Sequence, residues 1–143
     1  MIGFQLLGTL DNFNKVAEAV EKAAFRNVGH AAAAIRKDAI ESIKPAEGAS
    51  EPGTPPHTHT SGVTKKGKLR RGELQRAIVF AHNREENEAL VGPRFSVVGT
   101  SGAAHEFGGE YLGQDYPERP FMSPALENNI DRFGGSFEAS IGQ

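Results

Sequence analysis

Two adjacent residues, His105 and Glu106, are of the types that serve as general acids, general bases or metal ligands. A zinc-binding HExxH helix would need a second histidine at position 109, where this chain has Gly109. If the segment is a strand, the two side chains point to opposite faces of the sheet and cannot act on one point. We therefore expect Glu106 to anchor a turn or a subunit contact rather than to catalyse a reaction.

His57 and His59 are a second candidate pair, because one intervening residue places both imidazoles on the same side of an extended segment. Catalytic zinc sites usually have three protein ligands, so a third would have to come from His105, Glu106 or elsewhere. The chain contains no cysteine, which excludes a disulfide, a thiolate zinc site and a cysteine nucleophile. Its serines and glycines match neither the GxSxG motif of hydrolases nor a nucleotide-binding glycine loop. We predict no catalytic residue, no metal and no cofactor.

A cluster of cations, here called the basic tract, consists of Lys65, Lys66, Lys68, Arg70 and Arg71. No acidic residue lies between Pro52 and Gly72, whereas the chain from Glu110 onward carries six acids and two arginines. A flexible basic segment can bind phosphates with salt-dependent affinity, but this one has no aromatic residue to stack on bases. It can equally lie in solvent or pair with an acidic surface. The basic tract is therefore a candidate contact for DNA or for another subunit.

The bulk composition is that of a soluble globular protein. The chain has 143 residues, of which 38% are hydrophobic and 24% charged, and a net charge of -2. No run approaches the roughly 20 apolar residues that span a bilayer, and the N-terminus lacks the pattern of a signal peptide. We expect one domain over residues 1–143, made in the cytoplasm and without a membrane partner.

The N-terminal half predicts a short strand, a long helix and a loop. Ile2, Phe4 and Leu6 alternate with other residues, which predicts a strand ending at Gly8-Thr9. A helix of about 32 residues, roughly 48 Å long, follows from about residue 12 to residue 44, with a kink or break near Gly29 as the alternative. Residues 46–68 are rich in proline, glycine and hydroxyl side chains, so we predict a flexible loop there. The apolar stripe of the helix consists of Phe13, Val16, Val20, Ala24, Val28, Ala31, Ile35, Ala39 and Ile43.

The C-terminal half predicts clustered strands and a final helix. After a helical turn at 69–74, residues 77–81 and 89–92 read as the strands of a hairpin around the polar turn 83–88. Residues 96–99 and 103–107 are further strand candidates. The order predicts an α+β fold, with a long N-terminal and a C-terminal helix packed on a small, mainly antiparallel sheet of about four strands. The final helix has an apolar stripe of Leu126, Ile130, Phe133, Phe137 and Ile141.

The start of this final helix has a distinctive sequence. Ser123 suits an N-cap and Pro124 suits the first turn, where a missing N–H has no effect on helical bonding. We expect Phe121, Met122 and Leu126 to pack the helix onto the sheet, with Pro120 and Pro124 fixing the path of the chain. The full motif reads His105-Glu106-Phe107-Gly108-Gly109, then Arg119-Pro120-Phe121-Met122-Ser123-Pro124-Ala125-Leu126.

Together with Pro52-Gly53-Thr54-Pro55-Pro56 and Val91-Gly92-Pro93, this motif resembles the tail-component, or tail-completion, proteins of long-tailed bacteriophages. The resemblance implies an α+β structural protein of the virion neck that forms a ring, commonly hexameric, through which DNA passes. The implied partners are further copies, head-completion or adaptor proteins, tail-terminator or tail-tube proteins, and packaged DNA in non-specific contact. Residues 61–68 lengthen the usual link between two of the family's motifs, so the resemblance assigns no role to this basic insert.

Two other functions are open from the sequence. One is a small nucleic-acid-binding module that uses the basic loop 65–71. The other is a small hydrolase or nuclease that uses His105 and Glu106. The long helix favours the ring subunit, because a helix longer than a small globule requires can lie against a neighbouring copy.

Overall fold

The computed structural model describes residues 2–58, 65–67 and 72–140, with side chains described for residues 12–58, 65–67 and 72–139. The described ranges form an α+β fold with a long first helix and a C-terminal helix, as the sequence predicts. The four strands form two separate antiparallel sheets of two strands each rather than one sheet. The elements are α1 (Ile2–Ser42), α2 (Glu73–Ala77), β1 (Ile78–Asn83), β2 (Glu88–Pro93), α3 (Phe95–Val98), α4 (Ser101–Phe107), β3 (Gly109–Tyr111), β4 (Gln114–Tyr116) and α5 (Met122–Ser140).

Helix α1 has 41 residues and is therefore about 62 Å long. The prediction of a strand at its N-terminus is wrong, because the helix already includes Ile2. Helix formation is cooperative, so an existing helix extends through a few residues of mixed propensity, and a glycine such as Gly8 costs only about 1 kcal/mol. No helix in the described ranges is both long and apolar enough to cross a membrane.

The core lies where α1, the first strand and α5 meet. Ala39, Ile40 and Ile43 at the end of α1 pack with Ile78 of β1 and with two residues of the α5 region, Phe121 and Ala125. The alanines on α1 leave room for close approach of α5. Burial of these side chains is the main favourable contribution to the stability of the fold.

Gln75 of α2 holds the C-terminal end of α1. Its side-chain amide is buried and donates to the carbonyl oxygens of Ile40 and Ile43, at 3.2 and 2.7 Å. Its Oε1 accepts a hydrogen bond from the N–H of Gly72 at 2.9 Å. The last carbonyls of a helix have no partner within the helix, so Gln75 satisfies groups that would otherwise be buried without one.

The hairpin of β1 and β2 confirms the predicted strands and their polar turn. Its register runs from Ile78 opposite Pro93 to Asn83 opposite Glu88. The Asn83 Oδ1 accepts a hydrogen bond from the N–H of Glu85 at 3.0 Å, which stabilises the turn. Arg36 of α1 donates to the carbonyl of Ile78 at 2.7 Å and so joins the hairpin to the long helix.

The strand predictions for residues 96–99 and 103–107 are wrong, because these residues form α3 and α4. The chain leaves the hairpin after Pro93, and within the described ranges the residues that follow pair with no partner strand. Strand preference of residues such as Val97 and Val98 is weak without such a partner. Helical turns form instead, for example through the Gly99 N–H, which donates to the Phe95 carbonyl at 2.7 Å.

The hairpin of β3 and β4 was not predicted from the sequence. Its two turn residues, Leu112 and Gly113, both have positive φ, at 52° and 76°. Two-residue hairpin turns favour this conformation because its twist matches the strands, and Asn-Gly is its usual sequence. Leucine rarely adopts it, which explains why the residue types do not reveal the turn.

The first part of the predicted loop, residues 46–58, contacts the remainder of the fold. Arg119 donates to the Ser50 carbonyl at 2.9 Å, and the Gly53 N–H donates to the Glu118 carbonyl at 2.8 Å. Pro45 and Thr58 form an isolated parallel bridge. The rest of the predicted loop includes residues 59–64 and 68, which lie outside the described residues.

Candidate functional site

An apolar groove opens between β2 and the helices α3, α4 and α5. Its volume is about 590 Å³, within the roughly 300–1,000 Å³ typical of binding sites. Two of its phenylalanines, Phe95 and Phe107, are 72% and 76% exposed. Apolar walls of this kind suit an apolar partner surface better than a charged ligand. Other residues that line the groove are Ile35, Leu90, Val91, Pro93, Met122 and Leu126.

Glu106 lines the groove from α4 and is itself buried. Its carboxylate accepts hydrogen bonds from the N–H groups of Phe121 and Met122, each at 2.9 Å. It also accepts bonds from the N–H and the hydroxyl of Ser123, at 2.8 and 2.6 Å. The first N–H groups of a helix lack partners within the helix, and the positive end of the helix dipole favours a negative charge there. Glu106 therefore fixes the start of α5 to α4.

The pKa of Glu106 reflects two opposing effects. Burial raises the pKa of the carboxyl, but the bonds from the Ser123 hydroxyl and from the three N–H groups outweigh burial and lower the pKa below its ordinary value of 4.5. Glu106 is thus an ionised acceptor whose oxygens are already occupied by donors.

His105 and Glu106 do not form a catalytic pair in this structure. They are neighbours on helix α4 rather than on a strand, and the carboxylate of Glu106 is bound to the end of α5. The pKa of His105 is lowered first by burial and then by the positive charge of Arg119. The Arg119 N–H also donates to the carbonyl of His105 at 2.6 Å. Both residues therefore take part in joining α4 to the segment before α5.

Gly108 allows the end of α4 to pack closely against the segment that precedes α5. It has a φ of 65°, and a Cβ at this position would lie 2.8 Å from the Glu118 nitrogen and 2.9 Å from the Tyr116 carbonyl oxygen. Any larger residue would push the segment after β4 away from α4. Close packing therefore explains why the first glycine of the HEFGG motif, Gly108, has no side chain.

Phe121 is completely buried, and Met122 packs against the same core. The other buried residues of this core include Ala39, Ile40 and Ile43 of α1 and Ile78 of the first sheet. The block therefore contacts the sheet through Ile78 and, in addition, contacts α1, which the sequence did not predict. Small side chains of α1, such as Ala39, allow α5 to pack closely against this helix. Pro120 and Pro124 are both half-buried beside this junction.

The prediction that Leu126 takes part in this packing is wrong, because its side chain is 47% exposed. The face of α5 that meets α1 is formed by Phe121, Ala125 and Asn129, four residues apart. Asn129 donates to the Asp38 carboxylate at 2.6 Å and to the Ala125 carbonyl at 2.7 Å. Leu126 lies one residue, or about 100° around the helix, from this face, and its side chain lines the groove.

The N-terminal part of α1 carries an uncovered apolar surface. Phe13, Val16 and Val20, here called the apolar ridge, are 72%, 61% and 39% exposed. Every described side chain from residue 12 to residue 22 is exposed. The ridge continues the apolar stripe that was predicted for the whole helix, but only the second half of that stripe is covered by the rest of the chain.

The basic tract and the histidine pair do not come together with any other candidate residue in the described ranges. Lys65 and Lys66 are exposed in a turn, while Lys68, Arg70 and Arg71 lie outside the described residues, as does His59. Among the residues that the structure describes, no three His, Cys, Asp or Glu residues lie close enough to hold a metal ion.

The groove itself was not predicted from the sequence. Its lining comes from five separate elements, so no local spacing marks it. No family model, curated protein or solved structure matches the chain.

Proposed function

We propose that this chain is a structural protein of a tailed bacteriophage and forms a ring at the head–tail junction, through which DNA passes. The HEFGG and RPFMSPAL motifs support the phage assignment through their resemblance to tail-completion proteins. The observation that carries the assembly part is the pairing of an exposed apolar ridge on α1 with an exposed apolar groove elsewhere on the same chain.

The ridge cannot reach the groove of its own chain. Val20 and the groove residue Ile35 lie on the same continuous helix, 15 residues and so about 22 Å apart. A helix cannot fold back over that distance without breaking. Any contact between ridge and groove is therefore between two molecules.

The spacing of the ridge suits insertion into a groove. Phe13, Val16 and Val20 stand at positions i, i+3 and i+7, the pattern by which an amphipathic helix anchors in an apolar groove. Solvent-exposed side chains of this size in one patch usually mark an interaction surface. The proposed occupant of each groove is the ridge of a second copy.

A contact between two different surfaces of identical chains is head-to-tail, and such contacts close into rings when the rotation between subunits allows it. The basic tract and the acidic C-terminal part of the chain add opposite charges that favour the same kind of contact. The proposed further partners are a head-completion or adaptor protein on one side and a tail-terminator or tail-tube protein on the other. The proposed location is the virion neck.

Mass spectrometry of purified particles tests this function. We expect the chain to be present at a few copies per particle, and a density map of the neck to show it as a ring around the DNA channel. Absence of the chain from purified particles would contradict the proposal. A protein that binds duplex DNA through residues 65–71 but never assembles would instead be a small nucleic-acid-binding module.

A further inference from the structure

A second cavity, here called the basic cleft, lies between α1 and the turn of the β1–β2 hairpin. Its volume is about 410 Å³. Lys22, Arg26 and His30 line it from α1, at successive intervals of four residues that place them on one face of the helix. Arg84 lines it from the hairpin turn. Three positively charged side chains from two elements, Lys22, Arg26 and Arg84, therefore line one opening.

An aromatic stack fixes the wall of the cleft. The rings of Phe25 and His82 lie 3.9 Å apart between centroids and are nearly parallel, at 12°. The guanidinium carbon of Arg84 lies 5.3 Å from the centre of the Phe25 ring, a distance at which cation and ring attract each other. Gly29 makes room for His82, because a Cβ there would lie 3.1 Å from its Nδ1. These contacts position Arg84 before any ligand binds.

The cations of the cleft have no acidic partner within the described part of the chain. Lys22, Arg26 and Arg84 form no ion pair with a described carboxylate within 4.0 Å, although Glu18, Glu21 and Glu85 are close to them in sequence. By contrast, Lys37 on the same helix lies 4.0 Å from Glu41. The donors in the cleft are thus available to an external anion.

We propose that the basic cleft binds the phosphate groups of a DNA backbone. Arginine presents a planar set of donors that matches phosphate oxygens, and two arginines with a lysine can contact adjacent phosphates. Charge contacts of this kind do not read sequence, which suits a protein along which a genome moves. The choice of DNA as the source of phosphate rests on the proposed function, whereas the anion-binding chemistry rests on the cleft alone.

The cleft stays open when the ridge is covered. Lys22 is nine residues after Phe13, which is two and a half turns of α1, so the two side chains are on opposite faces of the helix. Docking of the ridge in a neighbouring groove therefore leaves the cleft accessible. The two surfaces of α1 can act in the same assembly without competition.

The test is binding of a fluorescent duplex of random sequence, followed by anisotropy over a range of salt concentrations. The variant Arg26→Gln with Arg84→Gln removes two charges from the cleft. We expect its affinity to fall and the slope of log K against log salt to decrease by about 1.8, at roughly 0.9 for each lost phosphate contact. The matched control, Arg76→Gln with Arg94→Gln, removes the same charge from two exposed arginines outside the cleft and should bind like the wild type.

Three results would overturn the proposal: no binding by the wild type, equal binding by the cleft variant, or equal losses in both variants. A parallel titration with inorganic phosphate, read by the NMR shifts of the Gly29 and His82 amides, separates the sources of phosphate. Shifts with phosphate but no binding of the duplex would rule out DNA as the ligand. Because these assays use the isolated chain, their outcome is independent of whether the chain is found in virions.

Discussion

The two parts of helix α1 share one apolar stripe but have opposite surroundings. In the packed segment, residues 23–42, the stripe is covered by α5 and the first hairpin, and Ala24 and Ala39 are 6% and 0% exposed. In the exposed segment, residues 12–22, Phe13 and Val16 are 72% and 61% exposed. Phe13 and Val16 thus stand where the described part of the chain offers no cover.

This difference shows that amphipathicity alone does not say which molecule covers a helix face. Helices in proteins owe most of their stability to the packing of their apolar face. The packed segment has that support within its own chain, whereas the exposed segment lacks it in the described structure. Under the proposed function, a second copy supplies the missing cover. The following predictions separate the two segments, from the largest effect on stability to the smallest.

Removing the main partner of the packed segment should have the largest effect. Phe121 is 0% exposed, and Phe121→Ala should lower the free energy of unfolding by about 3–5 kcal/mol. The same change at Phe107, which is 76% exposed, should lower it by less than about 0.5 kcal/mol. Urea denaturation of both variants measures this difference. Similar losses in the two variants would mean that α5 does not cover α1 as described.

Loosening the start of α5 should have the next largest effect. Glu106→Gln removes the charge that accepts four hydrogen bonds, and we expect a loss of about 1–3 kcal/mol in the free energy of unfolding. Glu127→Gln, a matched change on the exposed face of α5, should leave stability unchanged. If the two variants were equally stable, Glu106 would not hold α5 to α4.

The free energy of unfolding should decrease as the pH falls into the acidic range. The lowered pKa of His105 means that the unfolded chain takes up this proton first, so stability decreases as pH falls below the ordinary value of 6.5. The lowered pKa of Glu106 gives stability that is fully present above 4.5 and is lost as pH falls through the lower folded value. Thermal melts from pH 8 to pH 3 measure this dependence. Below pH 4.5, the melting temperature of Glu106→Gln should fall less with decreasing pH than that of the wild type. An unchanged acid profile in that variant would contradict the assignment.

Two glycine substitutions should change the free energy of unfolding in opposite directions. A Cβ on Gly102 would lie 2.7 Å from Cγ of Pro93, so Gly102→Ala should cost about 1–3 kcal/mol through overpacking of the groove wall. Nothing lies within 4 Å of a Cβ on Gly135 in α5, so Gly135→Ala should stabilise by up to about 1 kcal/mol. Melting temperatures that shift in the same direction for both variants would show that the groove wall differs from this description.

Changes on the exposed segment should alter assembly but not stability. The triple variant Phe13→Gln, Val16→Gln and Val20→Gln should melt like the wild type, since all three side chains are exposed in the free chain. Native mass spectrometry should show that it no longer forms oligomers under conditions where the wild type does. The control Asn14→Gln with Glu18→Gln changes the opposite face of the same segment and should assemble normally. Normal assembly of the triple variant would show that the ridge is not part of the interface between copies.

The sequence predicted the long helix, the first hairpin and the C-terminal helix, because their periodicities and turn residues are local signals. It failed for α3, whose valines suit a strand only where they pair with a partner strand, and for α4, whose alanines favour a helix. It also mistook Leu126 for a packing residue, because a stripe of period 3.6 does not say which side of the stripe faces the core. The face that packs is shifted by one residue, to Ala125 and Asn129.

The hydrogen bonds that join segments far apart in the sequence could not be predicted from the sequence. Gln75 satisfies the end of α1 and Glu106 satisfies the start of α5, from 32 and 15 residues away along the chain. Each is a polar residue on a short helix, and nothing near it in the sequence indicates its partner. The basic cleft was missed for the same reason, since Arg84 and Lys22 come from separate elements. By contrast, the basic tract is visible in the sequence because its cations are close together along the chain.

The most direct test of docking between ridge and groove is a cross-link between the ridge of one copy and the groove of another. The natural chain has no cysteine, so Val16→Cys in one copy and Leu90→Cys in a second form a mixed disulfide only where the two copies meet. A mixture of Val16→Cys with Glu47→Cys, an exposed position that does not line the groove, is the control. We expect the mixed dimer of the first pair to form well above the control and to be lost in the presence of Phe13→Gln with Val20→Gln. Equal yields from the two pairs would contradict docking of the ridge in the groove.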